Sequence, residues 1–252
     1  MRKDQEQDLV VYGLHPVNEA LDNPDTVEKV FVKEGFSGQP MKDLIKKSRA
    51  LRIPCFIVPS QKLDRLTNTR NHQGVAAFVS AVAYGNIENL IPTLMEQGVE
   101  PRIIVLDGVT DVRNFGAIAR TAEFLGFHAL VIPARGSARF NEDAIKSSAG
   151  ALLKLPVCRT HVLKQTVFFL KHSGLRIVGA SEKAETNAWE TDLTGPIAIV
   201  VGSEDEGISK PILKLCDEIV KVPQLGQVES LNVSVAAGML AYEVVKQAHK
   251  TI

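Results

Sequence analysis

The sequence predicts an α/β fold, and three observations carry that prediction. Short apolar runs rich in Val and Ile recur along the chain. Stretches with a helical period of apolar residues lie between them. The runs of the second half are apolar almost without interruption, as strands covered on both faces of a parallel sheet must be.

In the first part, residues 27–32 (VEKVFV) and 54–58 (PCFIV) read as strands. A helix is expected between them over 41–51, because Met41, Leu44 and Ile45 share one helical face. Residues 74–80 (GVAAFVS) give a further strand, and this rhythm favours a small α/β sandwich. The pattern breaks at 83–87 (AYGNI), which marks a linker. In the second part, strands are expected at 102–106, 129–132, 176–180, 197–201 and 218–222, forming a largely parallel sheet. Helices are expected at 115–125, 142–149, 161–172 and 231–248; in the first of these Phe115, Ile118, Ala119, Ala122 and Leu125 recur at helical spacing. The expected division is a first domain over 1–84, a linker over 85–101 and a second domain over 102–252.

Composition narrows the functional classes. A chain of 252 residues fits one large or two modest domains, and 45% hydrophobic residues suffice for ordinary cores. Lys plus Arg and Asp plus Glu both number 29, so the formal net charge is zero. A nucleic-acid partner then requires basic residues to be segregated locally, or recognition through shape and stacking. Lys46, Lys47, Arg49 and Arg52 cluster on or after one helix, as a phosphate-facing patch or a solvated face. Cys55, Cys158 and Cys216 lie far apart, with no zinc or redox spacing, and read as reduced apolar residues. No His pair has ligand spacing, so no metal is expected. The opening MRKDQEQD is polar and carries acids, unlike a secretory or mitochondrial leader. No apolar run approaches membrane-spanning length, and the protein is expected to be soluble and cytoplasmic.

The most informative segment is 222–240, VPQLGQVESLNVSVAAGML. It leaves a strand, crosses a polar turn and enters a helix of small residues. Gln224, Gln227, Glu229, Ser230, Asn232 and Ser234 crowd this turn with donors and acceptors, which reads as a site wall. Ser230 also suits the opening cap of the last helix, with Asn232 and Ser234 bonding backbone locally. GSEDEG at 202–207 follows a strand directly, where ligands bind parallel sheets. Gly202 there would allow a ligand close to the backbone; an ordinary strand-to-helix loop with Ser209 as cap before Pro211 fits as well. The loop is neither a Walker phosphate loop nor a dinucleotide fingerprint. Arg120 sits on a helix opened by Asn114 and reads either as a surface cation or, because that helix is unusually apolar, as a ligand-facing one. Val222 and Leu231 taken alone read as core. NHQG at 71–74 reads as a turn.

Three blocks, in order, resemble one family: LDGVTDVRNFGAIAR at 106–120, IVVGSEDEG at 199–207, and VP at 222–223 followed by ESLNVSVAAG at 229–238. They are similar to the SpoU (TrmH-type) RNA ribose 2′-O-methyltransferases of the SPOUT superfamily. YGLHPVNEA at 12–20 and NHQG at 71–74 look like the substrate-binding domain of the RlmB-like subgroup. The resemblance implies a deep trefoil knot near the C-terminal end of the parallel domain. It also implies a ribosomal-protein L30e-like fold for the first domain, and a homodimer. S-adenosyl-L-methionine is the implied cofactor, held by Gly202, Val222 and Leu231, with Ala180 at the neighbouring strand end. Arg120 is implied as the main catalytic residue, with Asn114, Glu204, Ser230 and Asn232 completing the site, and Asn71, His72 and Gln73 at an RNA-contacting edge. Asp205 stands where many members carry Gly. A guanidinium is a poor base, so a clamp on the adjacent phosphate is the favoured role for the arginine. The implied substrate is a guanosine in large-subunit (23S) ribosomal RNA. Transfer RNA, or a resistance methyltransferase on the same ribosomal RNA, are the nearest alternatives. A non-catalytic RNA-binding or ribosome assembly factor on the same fold is the alternative from another class.

Overall fold

The computed structural model describes residues 9–22, 24–35, 38–68, 71–80, 83–138, 140–227 and 230–250. The N-terminal octapeptide and Glu229 of the polar turn lie outside the described residues. The chain divides into two compact units, one running to Ala83 and including Phe140–Glu142, the other comprising Tyr84–Arg139 and Asp143–Ile252.

The first unit runs β1 (Leu9–Tyr12), α1 (Leu14–Ala20), β2 (Val27–Lys33), α2 (Gln39–Ala50), β3 (Cys55–Val58), α3 (Ser60–Leu66) and β4 (Val75–Val79). Its mixed sheet has the order β1-β4-β2-β3. β4 pairs antiparallel with β1 and β2, while β3 runs parallel to β2 on the edge. Alternation along β2 sends Val30 and Val32 to one face, with Val17 and Leu21 of the α1 region and Met41 and Leu44 of α2. Phe31 goes to the other face, with Leu63 of α3, Ala76 and Phe78.

The second unit runs α4 (Ile87–Glu96), β5 (Arg102–Asp107), α5 (Val112–Phe124), β6 (Ala129–Pro133), α6 (Glu142–Ser147), β7 (Val157–Thr160), α7 (Leu163–His172), β8 (Arg176–Ala180), β9 (Thr186–Asn187), β10 (Ile197–Gly202), α8 (Lys210–Leu213), β11 (Glu218–Lys221) and α9 (Val233–Lys250). Its seven strands are ordered β7-β6-β5-β10-β8-β11-β9, and every pairing is parallel. The strands are apolar throughout because both faces are covered: all six residues of β10 are buried. One face packs against Ile87 and Ile91 of α4, Val167 and Leu170 of α7 and Ile212 of α8. On the other, α5 packs on β6, α9 on β10, and the two helices pack on each other. Phe115 and Ile118 of α5 are fully buried, each worth about 1.5–3 kcal/mol of transfer free energy.

One expectation needs correction. Residues 85–101 are not a bare linker. They hold α4, capped by Asn86, whose side chain accepts from Glu88 N and Asn89 N, and its Ile87 and Ile91 belong to the second unit's core. The small residues of α9 serve packing inside the chain: a Cβ on Gly238 would already touch Thr121 of α5 at 3.4 Å, and Ala237 and Ala241 are buried. The three cysteines are free, and burial pushes the Cys158 thiol up to about 12 and the Cys216 thiol up to about 11. Among the described residues no helix is long and apolar enough to cross a membrane.

Candidate active site

The strand order reverses direction between β5 and β10: β6 and β7 lie on one side, β8, β11 and β9 on the other. Open parallel sheets place ligands outside the carboxyl ends of their strands at such a point. Here the register sets Asp107, the end of β5, opposite Gly202, the end of β10.

The chain leaves β5 and turns into α5 at Asp111. The Asp111 carboxylate caps the helix, accepting from Arg113 N (2.8 Å) and Asn114 N (2.9 Å). That fixes Asn114 in the first turn, facing the end of β10. The chain leaves β10 in a tight turn closed by Ser203 N→Gly207 O (3.2 Å) and Gly207 N→Ser203 O (3.0 Å), with Ser203 Oγ accepting from Glu206 N. Glu204 stands at its tip. The third arm comes from the entry to α9, where Asn232 Oδ1 accepts from Ser234 N (2.9 Å) and from Ser234 Oγ (2.5 Å).

These three side chains close a triangle. Asn114 Nδ2 donates to Glu204 Oε1 (2.8 Å), and Asn232 Nδ2 donates to both Asn114 Oδ1 (3.0 Å) and Glu204 Oε1 (3.0 Å). The chemistry leaves one orientation for each amide. Capping α9 commits the Asn232 oxygen, so its NH2 must face the other two residues; the carboxylate only accepts, so the Asn114 NH2 must face it. Two helix N-termini thereby converge on one carboxylate, which their dipoles favour. The triangle is open to solvent, so it is a preorganised polar surface rather than a buried lock.

The residues expected at the cofactor share this sheet edge. Ala180 ends β8, and Val222 follows β11 two residues beyond Val220, the partner of Ala180. Both are half-buried. Leu231 is not core: it is 48% exposed, and Leu225 in the same segment is 97% exposed. Gly202 also has a role inside the chain: a Cβ there would lie 2.0–2.3 Å from the backbone of Gly207 and Ile208, so the returning turn itself requires glycine. The left-handed position in this turn is Gly207 (φ 68°), and Asp205 is not among the residues of positive φ. The backbone at position 205 therefore does not require Gly.

Ser230 is exposed and joins no hydrogen bond among the described residues. It does not cap α9; Asn232 does, and the helix starts at Val233 rather than 231. Ser209 occupies the N-cap position of α8, but its side chain makes no cap bond; instead its N–H donates to Asp107 Oδ2 at 2.8 Å. Arg120 lies on the exposed side of α5, six residues and about 9 Å along the axis from Asn114. Among the described residues it has no ion pair or hydrogen bond, so its guanidinium is uncommitted. Asp111 and Asp107, which hold two arms of the site, escaped the sequence reading. The spacing of Asp111, three residues before Asn114 at a strand-to-helix turn, carried a legible capping signal.

In the first unit the 71–74 loop is a construction of its own. His72 Nδ1 accepts from Gly74 N (3.0 Å), so Nε2 carries the proton and donates to Asp64 Oδ1 (3.1 Å). Gln73, at φ 48°, turns its Oε1 to the N–H of Leu14 (3.0 Å), the first residue of α1. His72 and Gln73 thus have structural partners, while Asn71 is exposed.

Comparison with known proteins agrees with this architecture. The sequence model of the SpoU rRNA methylase family matches residues 101–242, and that of the RNA 2′-O ribose methyltransferase substrate-binding domain matches residues 10–85. A Staphylococcus haemolyticus protein assigned to the TrmH family of tRNA/rRNA methyltransferases is 34% identical over 244 residues, covering 97% of this chain and 98% of its own. The SpoU methyltransferase AviRb of Streptomyces viridochromogenes, solved in complex with AdoMet, superposes with a TM-score of 0.59 at 24% identity, over 96% of this chain and 90% of that one. A solved RNA 2′-O ribose methyltransferase gives 0.55 at 25% identity, over 97% and 90%. With matched residues over more than half its length and a relative spanning nearly all of it, this chain belongs to the SpoU rRNA methylase family.

Proposed function

We propose that this protein is an S-adenosylmethionine-dependent RNA ribose 2′-O-methyltransferase of the RlmB-like subgroup, acting on a guanosine of large-subunit ribosomal RNA. The observation that carries the reading is the Asn114–Glu204–Asn232 triangle at the switch point of a parallel sheet, in a chain of this family.

The residues at the sheet edge suit the cofactor. Leu231 offers an exposed apolar wall, and Val222 and Ala180 stand at neighbouring strand ends, as a flat heterocycle with polar rims needs. When bound, the cofactor supplies an electrophilic methyl group on a sulfonium. The chain's own part is positioning and electrostatics. Glu204 holds the two amides in fixed orientations, and Ser230 adds a hydroxyl at the same turn. These groups orient the ribose so that its 2′-oxygen lies in line for transfer; such alignment supplies a large part of a rate acceleration. Arg120, without an ion pair among the described residues, clamps the phosphate beside that ribose and stabilises charge developing on the oxygen as the hydroxyl proton passes to solvent water. The first unit recognises RNA, with Asn71 and Gln73 exposed and His72 half-buried among the three loop residues proposed to contact it. The enzyme works as a homodimer: Val235, Met239 and Tyr242 of α9 are each 46–59% exposed and fall on one apolar stripe.

The test is transfer of a labelled methyl group from S-adenosylmethionine to total RNA, followed by mapping of the modified ribose. Arg120→Ala is expected to lower turnover by roughly 100-fold or more, on the scale of a lost oxyanion donor, with cofactor affinity by calorimetry within about twofold. Near-normal turnover removes Arg120 from the mechanism. Tight RNA binding with no transfer by the wild type favours the assembly-factor alternative.

A further inference from the structure

The neutral chain carries its positive charge unevenly. Residues 39–66 hold seven Lys and Arg against two Asp, in a protein whose formal net charge is zero. This stretch is α2, β3 and α3 of the first unit. Not all of that charge is available: Lys47 is drawn to Asp22 (2.6 Å) and to Asn18. Arg49, Arg52 and Lys62, in contrast, are exposed and form no ion pair among the described residues.

The three cations bracket an unusual edge strand. Among the described residues β3 pairs only with β2, so no strand flanks its outer side there. Edge strands of this kind usually shield themselves with charge. β3 instead presents Phe56 at 43% exposure and Ile57 at 67%. Phe56 is rigidly placed, because it stacks on the buried Phe31 with centroids 5.8 Å apart and an interplanar angle of 29°. Lys62 Nζ lies 5.4 Å from the Phe31 centroid, on the same aromatic pair. Arg49 is near the strand's first residue: burial raises the Cys55 thiol pKa, and the Arg49 charge acts against it. Arg52, just before β3, adopts a left-handed backbone (φ 58°) at the position after the α2 cap where glycine is preferred. The sequence thus puts a cation where the backbone would favour Gly.

An exposed aromatic ring on an edge strand, with a lysine on the same aromatic pair and two exposed arginines beside the start of the strand, is chemistry suited to unpaired nucleotides. A base stacks on the ring whatever its identity, and the flanking phosphates meet the cations. We infer that the β3 edge, through Phe56 with Lys62 on its aromatic pair and Arg49 and Arg52 beside the start of the strand, is a second RNA contact of the first unit, taking one or two unpaired nucleotides of the substrate. The inference rests on the proposed RNA substrate, and it adds a contact distinct from the 71–74 loop.

The test uses the full chain and a fluorescein-labelled, unstructured 12-nucleotide oligoribonucleotide, read by anisotropy over a salt series. Phe56→Ala is expected to weaken binding ~5- to 150-fold, the range for loss of one stacked base. Arg49→Ala/Arg52→Ala should lower the slope of log affinity against log salt by roughly 0.7 per cation removed. Both variants should retain wild-type affinity for S-adenosylmethionine and the wild-type circular dichroism spectrum. Should Phe56→Ala disturb the first unit, the double arginine variant still decides. Unchanged RNA affinity and unchanged salt slope in folded variants overturn the inference. So does a change in molecular mass with RNA affinity intact, which makes the edge a protein interface. If the wild type binds the oligonucleotide but transfers no methyl group to any RNA, the proposed activity fails and the β3 contact is still judged by binding. If transfer is normal and both variants bind like wild type, the contact falls and the activity stands.

Discussion

At the residue scale, the site depends on glycines that serve the chain before any ligand arrives. Gly116 is the clearest case. A Cβ there would meet Ser147 Oγ at 1.9 Å, Ser147 Cβ at 2.8 Å and Ser148 N at 2.9 Å. Ser147 is held against this helix by its hydroxyl, which donates to Val112 O and Ala144 O. The end of α6 therefore lies directly on α5 two residues after Asn114. Gly116→Ala is expected to cost about 1–3 kcal/mol through overpacking, read as a lower midpoint in urea. It should also reduce methyl transfer more than cofactor binding, because it tilts the Asn114 arm. A fully stable and active Gly116→Ala variant would mean that α6 yields without disturbing α5.

At the scale of elements, two connections of the second unit are tied down by single carboxylates. Asp107 accepts from Ser209 N and joins the ends of β5 and the entry to α8. Asp217, just before β11, accepts from Ile177 N (2.8 Å) and pairs with Lys171 of α7 (2.6 Å). Burial alone would raise the Asp217 pKa, but the Lys171 bond, the Ile177 N–H and the charges of Lys171 and Arg176 together hold it below the usual carboxylate value. The sign follows directly. A depressed folded-state pKa stabilises the fold above the unfolded value, about 3.9, and that contribution is lost as pH falls through the lower folded value. Asp217→Asn is expected to cost about 1–2 kcal/mol at pH 7, discounted for partial exposure. The gap between wild type and variant should close as pH falls below about 4, measured by urea denaturation at pH 7 and pH 3. A gap that is constant with pH would show that the loss is one of packing, not charge.

At the scale of the whole molecule, α9 has two faces with different uses. Val233, Ala237, Leu240, Ala241 and Val244 are buried, while Val235, Met239 and Tyr242 remain open, as does Phe124 at the end of α5 (83%). An apolar stripe of that length suits the proposed association with a second copy of the chain. Light scattering is expected to give twice the 27.5 kDa chain mass, and Met239→Glu/Tyr242→Glu should give the single-chain mass with its circular dichroism intact. A monomeric wild type would assign the stripe to some other partner.

The amino-acid sequence alone determined the α/β class, the parallel second sheet, most of its strands and the three blocks that identify the family. Those features are local: a strand buried on both faces must be apolar wherever it runs, and a motif is contiguous by definition. β7 and β9 were missed because they are short, and α4 was hidden by its Pro92 and the turn-like residues before it. Only the tertiary structure decided that β10 lies between β5 and β8, and hence that Asn114, Glu204 and Asn232, up to 118 residues apart, share hydrogen bonds. It alone separated the roles of the polar turn, giving the cap to Asn232 and leaving Ser230 open, and showed that Gly202 answers to the backbone of Gly207. The physical reason is common to all of these: capping signals and steric demands are set by atoms that are near in space, and strand order, not spacing along the chain, brings them there.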